Sequence, residues 1–250
     1  MQVISVCNHK GGCGKTTTAV NLGAYLALHG NKILIIDFDP QGAATTGLGI
    51  DKRHLTRHMY DVMVKDTEIE DIVLPTEING LYIAPSNIDL SGAEPELANQ
   101  IARELVLKEK MENLDQYDFA IIDTPPSLGL LTINSLTSCT LLLIPLQCEF
   151  YAMEGLSQLL KIVDKIGTRL GNKPKRRVLL TMYDSRTSLS KQVARMVQEF
   201  FKDDMFQTII PRSVRLAEAP SFGKPICLYD PTSAGAIAYE QLSEEVLNVS

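Results

Sequence analysis

The chain has 250 residues and a mass of 27.6 kDa, enough to bury a substantial core, which excludes a miniprotein held together by disulfides. Hydrophobic residues make up 45% and charged residues 22%, a balance that excludes a disordered chain. The formal net charge of -6 excludes a surface coated throughout in positive charge.

Apolar runs alternate with helical patterns along the chain. A strand at 2–7, a helix at 16–29 closed by Gly30 and a strand at 32–37 form one βαβ unit. A helix is expected around 55–64, and further strands at 81–84, 119–123, 140–146, 178–182 and 206–210. Several of these strands are continuously apolar, as expected where helices cover both faces of a parallel sheet. The pattern predicts an α/β fold with a doubly wound, mostly parallel sheet flanked by helices, in a single domain over 1–250.

No predicted segment approaches the ~20 apolar residues of a membrane-spanning helix. The N-terminus also lacks the basic, apolar and small-residue regions of a secretory signal, so we predict a cytoplasmic protein. Five cysteines are scattered without a CxxC pair or a cluster with histidine, a pattern that predicts neither a zinc site nor a disulfide framework.

Basic charge is concentrated in one part of the chain. Residues 161–224 contain fourteen Lys/Arg and six Asp/Glu, a local net charge of +8 within a chain whose total is -6. Such segregation allows one face to hold an anionic polymer such as nucleic acid while the rest of the protein stays acidic. The alternative is a solvated loop before a strand, formed by Lys173, Lys175, Arg176 and Arg177.

A glycine-rich segment joins the first predicted strand to the following helix. It reads Asn8-His9-Lys10-Gly11-Gly12-Cys13-Gly14-Lys15-Thr16-Thr17. Glycines allow successive backbone N–H groups to approach phosphate oxygens, and the helix adds the positive end of its dipole. The pattern predicts a triphosphate site in which Lys15 contacts the β- and γ-phosphates, the Thr16 hydroxyl binds Mg²⁺ and Thr17 bonds the α-phosphate side.

The strict phosphate-loop pattern GxxxxGK[ST] requires glycine at position 9, where this chain has His9. Residues 10–17 instead resemble the deviant Walker A motif, KGGxGKTT, of the ParA/MinD superfamily of P-loop ATPases. The resemblance implies the P-loop NTPase fold, and it implies that residues 10–17 together bind ATP with its Mg²⁺ ion. It also implies that Lys10 reaches across an ATP-dependent homodimer to the phosphates bound by the partner subunit. Cys13 replaces a small aliphatic residue, and we interpret it as a steric substitute.

A second motif, Asp37-Phe38-Asp39-Pro40-Gln41-Gly42, ends the second predicted strand. The carboxyl ends of neighbouring strands converge on one crevice in a doubly wound sheet, so Asp39 is expected to face the γ-phosphate. The stretch DxDPQG resembles the switch motif of the ParA branch, which implies that Asp39 positions or activates the attacking water. We therefore predict Lys10, Lys15 and Asp39 as catalytic residues. Asp37 fits better as a cap of the next turn.

An apolar strand, Phe119-Ala120-Ile121-Ile122, is followed by Asp123-Thr124-Pro125-Pro126. An aspartate at the end of such a strand is typical of a Walker B motif, whose carboxylate holds Mg²⁺ through water. The sequence DTPP is shared with the same superfamily. Asp123 is therefore the second predicted metal residue beside Thr16.

Segments 145–156, 180–187 and 210–221 are similar to those of the chromosomal ParA proteins, also called Soj, so the resemblance covers nearly the whole chain. It implies adenine recognition around Pro211 and Ser213, the second of which is more often Asn in the family. Because the phosphate loop starts near residue 10, we expect no N-terminal helix-turn-helix domain and hence no operator-specific binding. The resemblance implies instead that the ATP-bound dimer binds DNA without sequence preference, through Lys/Arg contacts to phosphates. The candidate DNA contacts are Arg186, Lys191, Arg195 and Arg215, and the alternative for each is a surface salt bridge.

The resemblance implies a slow ATPase that acts as a switch in chromosome or plasmid partition. ATP closes the homodimer on double-stranded DNA of the nucleoid, and a ParB-like adaptor triggers hydrolysis and release. The cargo and the adaptor stay open.

Two other classes share the phosphate loop. A MinD-like ATPase lies on the membrane surface through a basic amphipathic C-terminal helix. Residues 236–250 here contain three glutamates and no Lys or Arg, so we predict no membrane partner. An iron protein of the nitrogenase type bridges its dimer with an iron–sulfur cluster, for which Cys139 and Cys148 are the candidates. We favour ordinary packing for both cysteines.

Overall fold

The computed structural model describes residues 1–149 and 152–249. Within these residues, eight strands form one sheet. Their bounds are β1 Gln2–Val6, β2 Ile33–Asp37, β3 Leu74–Pro75, β4 Leu81–Ala84, β5 Phe119–Asp123, β6 Leu141–Gln147, β7 Lys175–Tyr183 and β8 Met205–Pro211. The order across the sheet is β3-β4-β2-β5-β1-β6-β7-β8. Only β3 runs antiparallel to its neighbour among these strands, so the predicted mostly parallel sheet is confirmed.

Helices connect the strands. Their bounds are α1 Lys15–Leu28, α2 Ala43–Gly47, α3 Met59–Val64, α4 Ala93–Leu97, α5 Val106–Lys110, α6 Leu130–Ser138, α7 Ala152–Arg169, α8 Ser188–Phe201, α9 Val214–Glu218, α10 Ile226–Tyr229 and α11 Ala234–Val249. Short 3₁₀ helices lie at Lys52–His54, Ile69–Asp71, Ile88–Gly92, Lys202–Asp204 and Ala219–Phe222.

The sheet separates two hydrophobic cores, as the doubly wound prediction requires. Leu34 and Ile36 of β2 enter the core beneath α3 to α8, whereas Ile33 and Ile35 enter the core beneath α1, α2 and α9 to α11. Successive side chains of a strand point to opposite faces, so a strand buried on both sides is mostly apolar. The buried Ser5 of β1 is an exception, and its hydroxyl is hydrogen-bonded to that of Ser135 at 2.6 Å. Burial on both faces explains the continuous apolar runs, and it is the reason that such runs predict a doubly wound sheet.

Two local predictions are corrected by the structure. Lys175, Arg176 and Arg177 do not form a loop but begin β7, paired in register with 141–143 of β6. Neighbouring carboxylates make this basic strand end tolerable: Arg176 lies 3.6 Å from Asp164. The helix expected around 55–64 begins only at Met59, because the residue before it is extended and its backbone N–H donates to the Asp61 carboxylate at 2.9 Å.

The C-terminal helix α11 packs its apolar side against α1 and β8. Ala236, Tyr239, Leu242 and Val246 are all buried there. Among residues 1–149 and 152–249, no helix has the length and apolar character needed to span a membrane.

Candidate functional site

The phosphate loop leaves β1 after Val6 and enters α1 at Lys15. Gly12 and Gly14 have φ values of 73° and 92°, in the left-handed region that glycine adopts without steric cost. Gly14 is the N-cap residue of α1, and no side chain caps this helix end. The first backbone N–H groups of α1 therefore stay available to an anion.

Lys15 is buried, with 6% of its surface exposed. Its ammonium donates to the backbone carbonyl of Lys10 at 3.0 Å, and the Cys13 thiol donates to the same oxygen at 3.3 Å. The lysine thus spans its own loop, with its charge over the residues predicted to hold phosphate.

The Lys10 side chain contacts a residue that follows β6, outside the phosphate loop. Its ammonium forms an ion pair with the Glu149 carboxylate, and the two side chains are 37% and 33% exposed. The Lys10 backbone N–H donates to the side-chain oxygen Oδ1 of Asn8 at 3.1 Å, and the side-chain amide Nδ2 of Asn8 donates to the Pro145 backbone carbonyl at 2.8 Å. The loop is therefore anchored to β6 while the Lys10 side chain stays partly exposed.

Cys13 lies inside the loop and is 1% exposed. Its carbonyl accepts a hydrogen bond of 2.8 Å from the Thr181 hydroxyl on β7. Burial raises the pKa of the Cys13 thiol, so this group stays protonated at neutral pH. These contacts fit the interpretation of Cys13 as a packing residue. Thr181 lies in the ParA-like segment 180–187, but its role as a support of the loop was not predicted from the sequence.

Asp123 ends β5 and faces the loop from the next strand. Neither of its carboxylate oxygens has a hydrogen-bond partner among the described residues, although the residue is fully buried. Burial raises the pKa of Asp123 well above its usual value, and the nearby Asp37 charge adds to the rise. The Thr16 hydroxyl and the Lys15 ammonium act in the opposite direction on this pKa.

A buried carboxylate without a partner is costly unless a cation completes the site. The Asp123 oxygens and the neighbouring Thr16 hydroxyl are the hard oxygen donors that Mg²⁺ prefers. The residues present therefore fit a magnesium ion at the phosphate loop.

Asp37 has the opposite environment. One oxygen of its carboxylate accepts two hydrogen bonds of 2.7 Å from Thr45, one from the backbone N–H and one from the hydroxyl. The donor, Thr45, is the third residue of α2, so the Asp37 carboxylate caps that helix from outside, as the sequence indicated. Burial nevertheless raises the pKa of Asp37 to about 6, with the Thr45 bonds acting against the rise.

Asp39 is also buried, with 8% of its surface exposed. Its carboxylate accepts from the backbone N–H of Gln41 at 2.9 Å, and its carbonyl accepts from the N–H of Gly42 at 2.9 Å. Residues 39–42 therefore form a β-turn with proline second and glycine fourth, which is a favoured arrangement. The charge of Asp39 contributes to the raised pKa of Asp123, so the two predicted acids share one region.

A cavity of about 200 Å³ opens beside the helical end of the loop. It is lined by Gly14, Thr17, Thr181, Met182, Ile210, Pro211, Arg212, Ser213, Leu216, Ala217 and Tyr239. Both predicted base-binding residues, Pro211 and Ser213, lie in its wall, and Thr17 joins them to the phosphate loop. The Ser213 hydroxyl accepts from the N–H of Leu216 at 3.4 Å, as the N-cap of α9. A mostly apolar cavity of this kind suits a planar base.

The four candidate DNA contacts divide into two groups. Arg186 forms a two-point ion pair with Asp184, at 2.9 and 2.8 Å, and Arg215 lies 3.1 Å from Glu218 and 3.3 Å from Asp230. Lys191 and Arg195 stand one turn apart on α8, and neither has an ion-pair partner within the part of the chain that the structure describes. A DNA phosphate would therefore not have to displace a carboxylate from Lys191 or Arg195, as it would from Arg186 or Arg215.

The two cysteines considered for an iron–sulfur cluster are both buried. Burial raises the pKa of the Cys148 thiol to about 11, and it also raises that of Cys139. The Cys139 thiol lies 3.5 Å from the Leu136 carbonyl, at the end of α6. Both environments favour protonated packing residues over thiolate ligands.

The chain is similar to known proteins along most of its length. A protein-family model described as "AAA domain" matches residues 1–176. The "Sporulation initiation inhibitor protein Soj" of Bacillus subtilis is 51% identical over 247 residues, with 98% of each chain covered. The "Chromosome partitioning protein ParA" of Myxococcus xanthus is 47% identical over 248 residues, covering 98% of this chain and 88% of that one.

Among solved structures, the chain is similar to "Cobyrinic Acid a,c-diamide synthase from Mycobacterium smegmatis with bound ATP analog and Magnesium". The TM-score is 0.86 and the sequence identity is 35%, with 99% of this chain and 95% of that chain covered.

Proposed function

Because the chain belongs to the ParA/MinD superfamily of P-loop ATPases, within its chromosomal ParA or Soj branch, we propose that it is a partition ATPase converting ATP and water to ADP and phosphate. The observation that carries this proposal is the fully buried Asp123, whose unpartnered oxygens lie beside Thr16 and Lys15 of the phosphate loop. That arrangement requires a cation and favours a phosphorylated ligand.

Thr16, directly, and Asp123, through water, would hold a magnesium ion, which would supply charge neutralisation for the β- and γ-phosphates. Lys15 leaves the Lys10 carbonyl to contact those phosphates, together with the backbone N–H groups of Gly11, Gly12, Cys13 and Gly14 and the first residues of α1. Thr17 lies at the α-phosphate, and the base occupies the cavity walled by Pro211 and Ser213.

Asp39 orients the attacking water. Its carboxylate is held by the turn of residues 39–42 and lies in the same crevice as Asp123. Phosphoryl transfer depends mainly on position and charge neutralisation, so a fixed carboxylate is what this step needs. Asp37 acts on the structure instead, because its carboxylate is engaged by Thr45.

ATP closes two copies of the chain into a dimer, in which Lys10 of each copy contacts the phosphates of the other. The partial exposure of the Lys10 side chain and its ion pair with Glu149, a residue outside the phosphate loop, support this role. The ion pair with Glu149 has to open first, which costs little for a pair exposed to this degree.

The closed dimer binds double-stranded DNA without sequence preference, through phosphate contacts by Arg186, Lys191, Arg195 and Arg215. The chain thereby associates with the nucleoid. A ParB-like adaptor stimulates the slow hydrolysis, and the dimer then opens and leaves the DNA.

DNA retention at three nucleotide states tests this switch. The Asp39→Ala variant with Mg-ATP should dimerise and retain DNA, whereas the wild type with ADP, or without nucleotide, should remain monomeric and release it. Lys191→Ala combined with Arg195→Ala should keep dimerisation but weaken DNA binding and lower its salt slope by about one unit per lost contact. The exposed Lys108, on α5, provides the matched control as Lys108→Ala. Equal retention in all three states would refute the switch.

The membrane-surface alternative finds no support in the C-terminal helix. In α11 the side chains of Ala236, Tyr239, Leu242 and Val246 are buried in the core, and residues 236–250 contain no Lys or Arg that could contact an anionic lipid surface. Sedimentation with anionic liposomes and Mg-ATP separates the two functions.

A further inference from the structure

Lys52 lies beside the turn that carries Asp39, although the two residues are on different elements. The turn follows β2, whereas Lys52 begins a 3₁₀ helix after α2. The Lys52 ammonium donates a hydrogen bond to the backbone carbonyl of Gln41, the third residue of the turn. Lys52 is half-buried and Gln41 is exposed, so the contact lies at the protein surface.

The Lys52 ammonium contacts this backbone carbonyl and forms no ion pair with a carboxylate among the described residues. The neighbouring carboxylate, Asp51, is occupied by Arg53 at 2.9 and 2.8 Å and by His54 at 3.0 Å. No carboxylate of residues 1–149 or 152–249 is within ion-pair distance of Lys52. A charged donor on a backbone oxygen forms a stronger hydrogen bond than a neutral one.

The hydrocarbon part of Lys52 is equally constrained. It runs over Gly42, where an added Cβ would stand 2.9 Å from the Lys52 Cδ and 2.6 Å from the Ser86 carbonyl oxygen. Gly42 has a φ of 59°, so a side chain at this position would be strained as well as crowded. Because Gly42 has no side chain, the Lys52 side chain can pass over it and reach the Gln41 carbonyl.

The peptide that Lys52 contacts is the one that closes the turn. Its oxygen, on Gln41, accepts from Lys52, while its N–H, on Gly42, donates to the Asp39 carbonyl. A carbonyl polarised by a cation makes the N–H of the same peptide a better donor. The ammonium thus strengthens the bond that sets the backbone of Asp39.

We infer that Lys52 is a positioning residue for hydrolysis, acting through the Gln41–Gly42 peptide to hold the Asp39 carboxylate where it orients water. Lys52 itself touches neither nucleotide nor magnesium. The inference rests on the proposed function, because it assumes that Asp39 acts on the water.

The test replaces the ammonium and keeps the hydrocarbon. Lys52→Met should lower kcat about tenfold or more, since small displacements of a catalytic group carry costs of this size. The KM for ATP and ATP-dependent dimerisation should stay at wild-type values, because the phosphate loop is unchanged. Lys52→Arg, which can donate to the same carbonyl, should recover most of the loss. Arg53→Met, at the adjacent exposed position, should leave kcat unchanged.

A wild-type kcat in Lys52→Met would overturn the inference, and so would an equal loss in Lys52→Arg. A loss of kcat accompanied by failed dimerisation would also overturn it, since that outcome describes general damage. Lys52→Gln provides the second variant if the methionine variant does not fold. Asp39→Ala, assayed in parallel, separates the two claims: normal hydrolysis there refutes the catalytic assignment, whereas an inactive Asp39→Ala beside a normal Lys52→Met refutes only the role of Lys52.

Discussion

Asp37 and Asp123 are register partners at the carboxyl ends of the adjacent parallel strands β2 and β5, and both are fully buried. Their surroundings differ. Asp37 accepts two hydrogen bonds from Thr45, whereas Asp123 has no hydrogen-bond partner for either oxygen within residues 1–149 and 152–249. The two carboxylates therefore differ in role: Asp37 caps α2, whereas Asp123 has both oxygens available for a cation.

Removal of the Asp123 charge should stabilise the ligand-free protein. In EDTA at pH 7.5 we expect Asp123→Asn to raise the free energy of unfolding by roughly 1–3 kcal/mol, because the wild type has to bury this acid either as an unpaired charge or protonated against its usual pKa. The same variant should lose the extra stability that Mg-ADP confers on the wild type. Thermal unfolding with and without Mg-ADP measures both effects, with the exposed Asp115→Asn as control. A destabilised variant that still responds to Mg-ADP would contradict the metal assignment.

The raised pKa of Asp37 predicts a pH dependence of definite sign. The folded carboxyl has a pKa of about 6, against 3.8 for the unfolded chain, so between these values the folded state binds more protons. Its contribution to the free energy of unfolding is therefore complete below about pH 4 and is lost as the pH rises through about 6.

Denaturant unfolding in EDTA from pH 4 to 7 checks this sign. The difference in stability between the wild type and Asp37→Asn should move against the wild type as the pH rises, because the asparagine does not ionise. A difference that stays constant with pH, or moves in favour of the wild type, would show that Asp37 is not desolvated as the structure indicates.

Gly235 of α11 lies against the wall of the cavity that we propose for the base. A Cβ at this position of α11 would stand 2.7 Å from Cγ and 2.8 Å from Cδ1 of Leu216, a residue of the cavity wall. Gly235→Ala should push Leu216 toward the cavity and raise the KM for ATP about tenfold, with a smaller change in kcat. Steady-state hydrolysis measures the two constants. Gly92→Ala, whose new Cβ meets nothing closer than 3.5 Å, should behave as the wild type.

Lys10 should be needed for the dimer and not for nucleotide binding by one chain. In an Asp39→Ala background, adding Lys10→Ala should leave the protein monomeric at saturating Mg-ATP, because the phosphates of each subunit lose a cation from the other. Light scattering measures the mass, and a fluorescent ATP analogue checks that binding persists. Lys108→Ala in the same background should still dimerise. A dimer without Lys10 would refute the cross-subunit role.

Local chemistry made part of this molecule predictable. The phosphate loop, the DPQG turn and the aspartate ending β5 are each encoded in ten or fewer consecutive residues, so their residue types identify them without knowledge of the fold. Continuous apolar strands predicted the sheet class for a similar reason, since burial on both faces leaves few polar positions.

Other features depend on which strands become neighbours, and no local pattern reports that. Thr181 supports the carbonyl of Cys13 across 168 residues because β7 ends beside the loop, and Lys10 meets Glu149 only because β6 is adjacent to β1. The basic start of β7 looked like a loop because its carboxylate partners lie on other elements. Whether Asp123 is satisfied or orphaned was likewise decided by packing, since hydrogen bonding of a buried group depends on atoms that the chain brings near only when it folds.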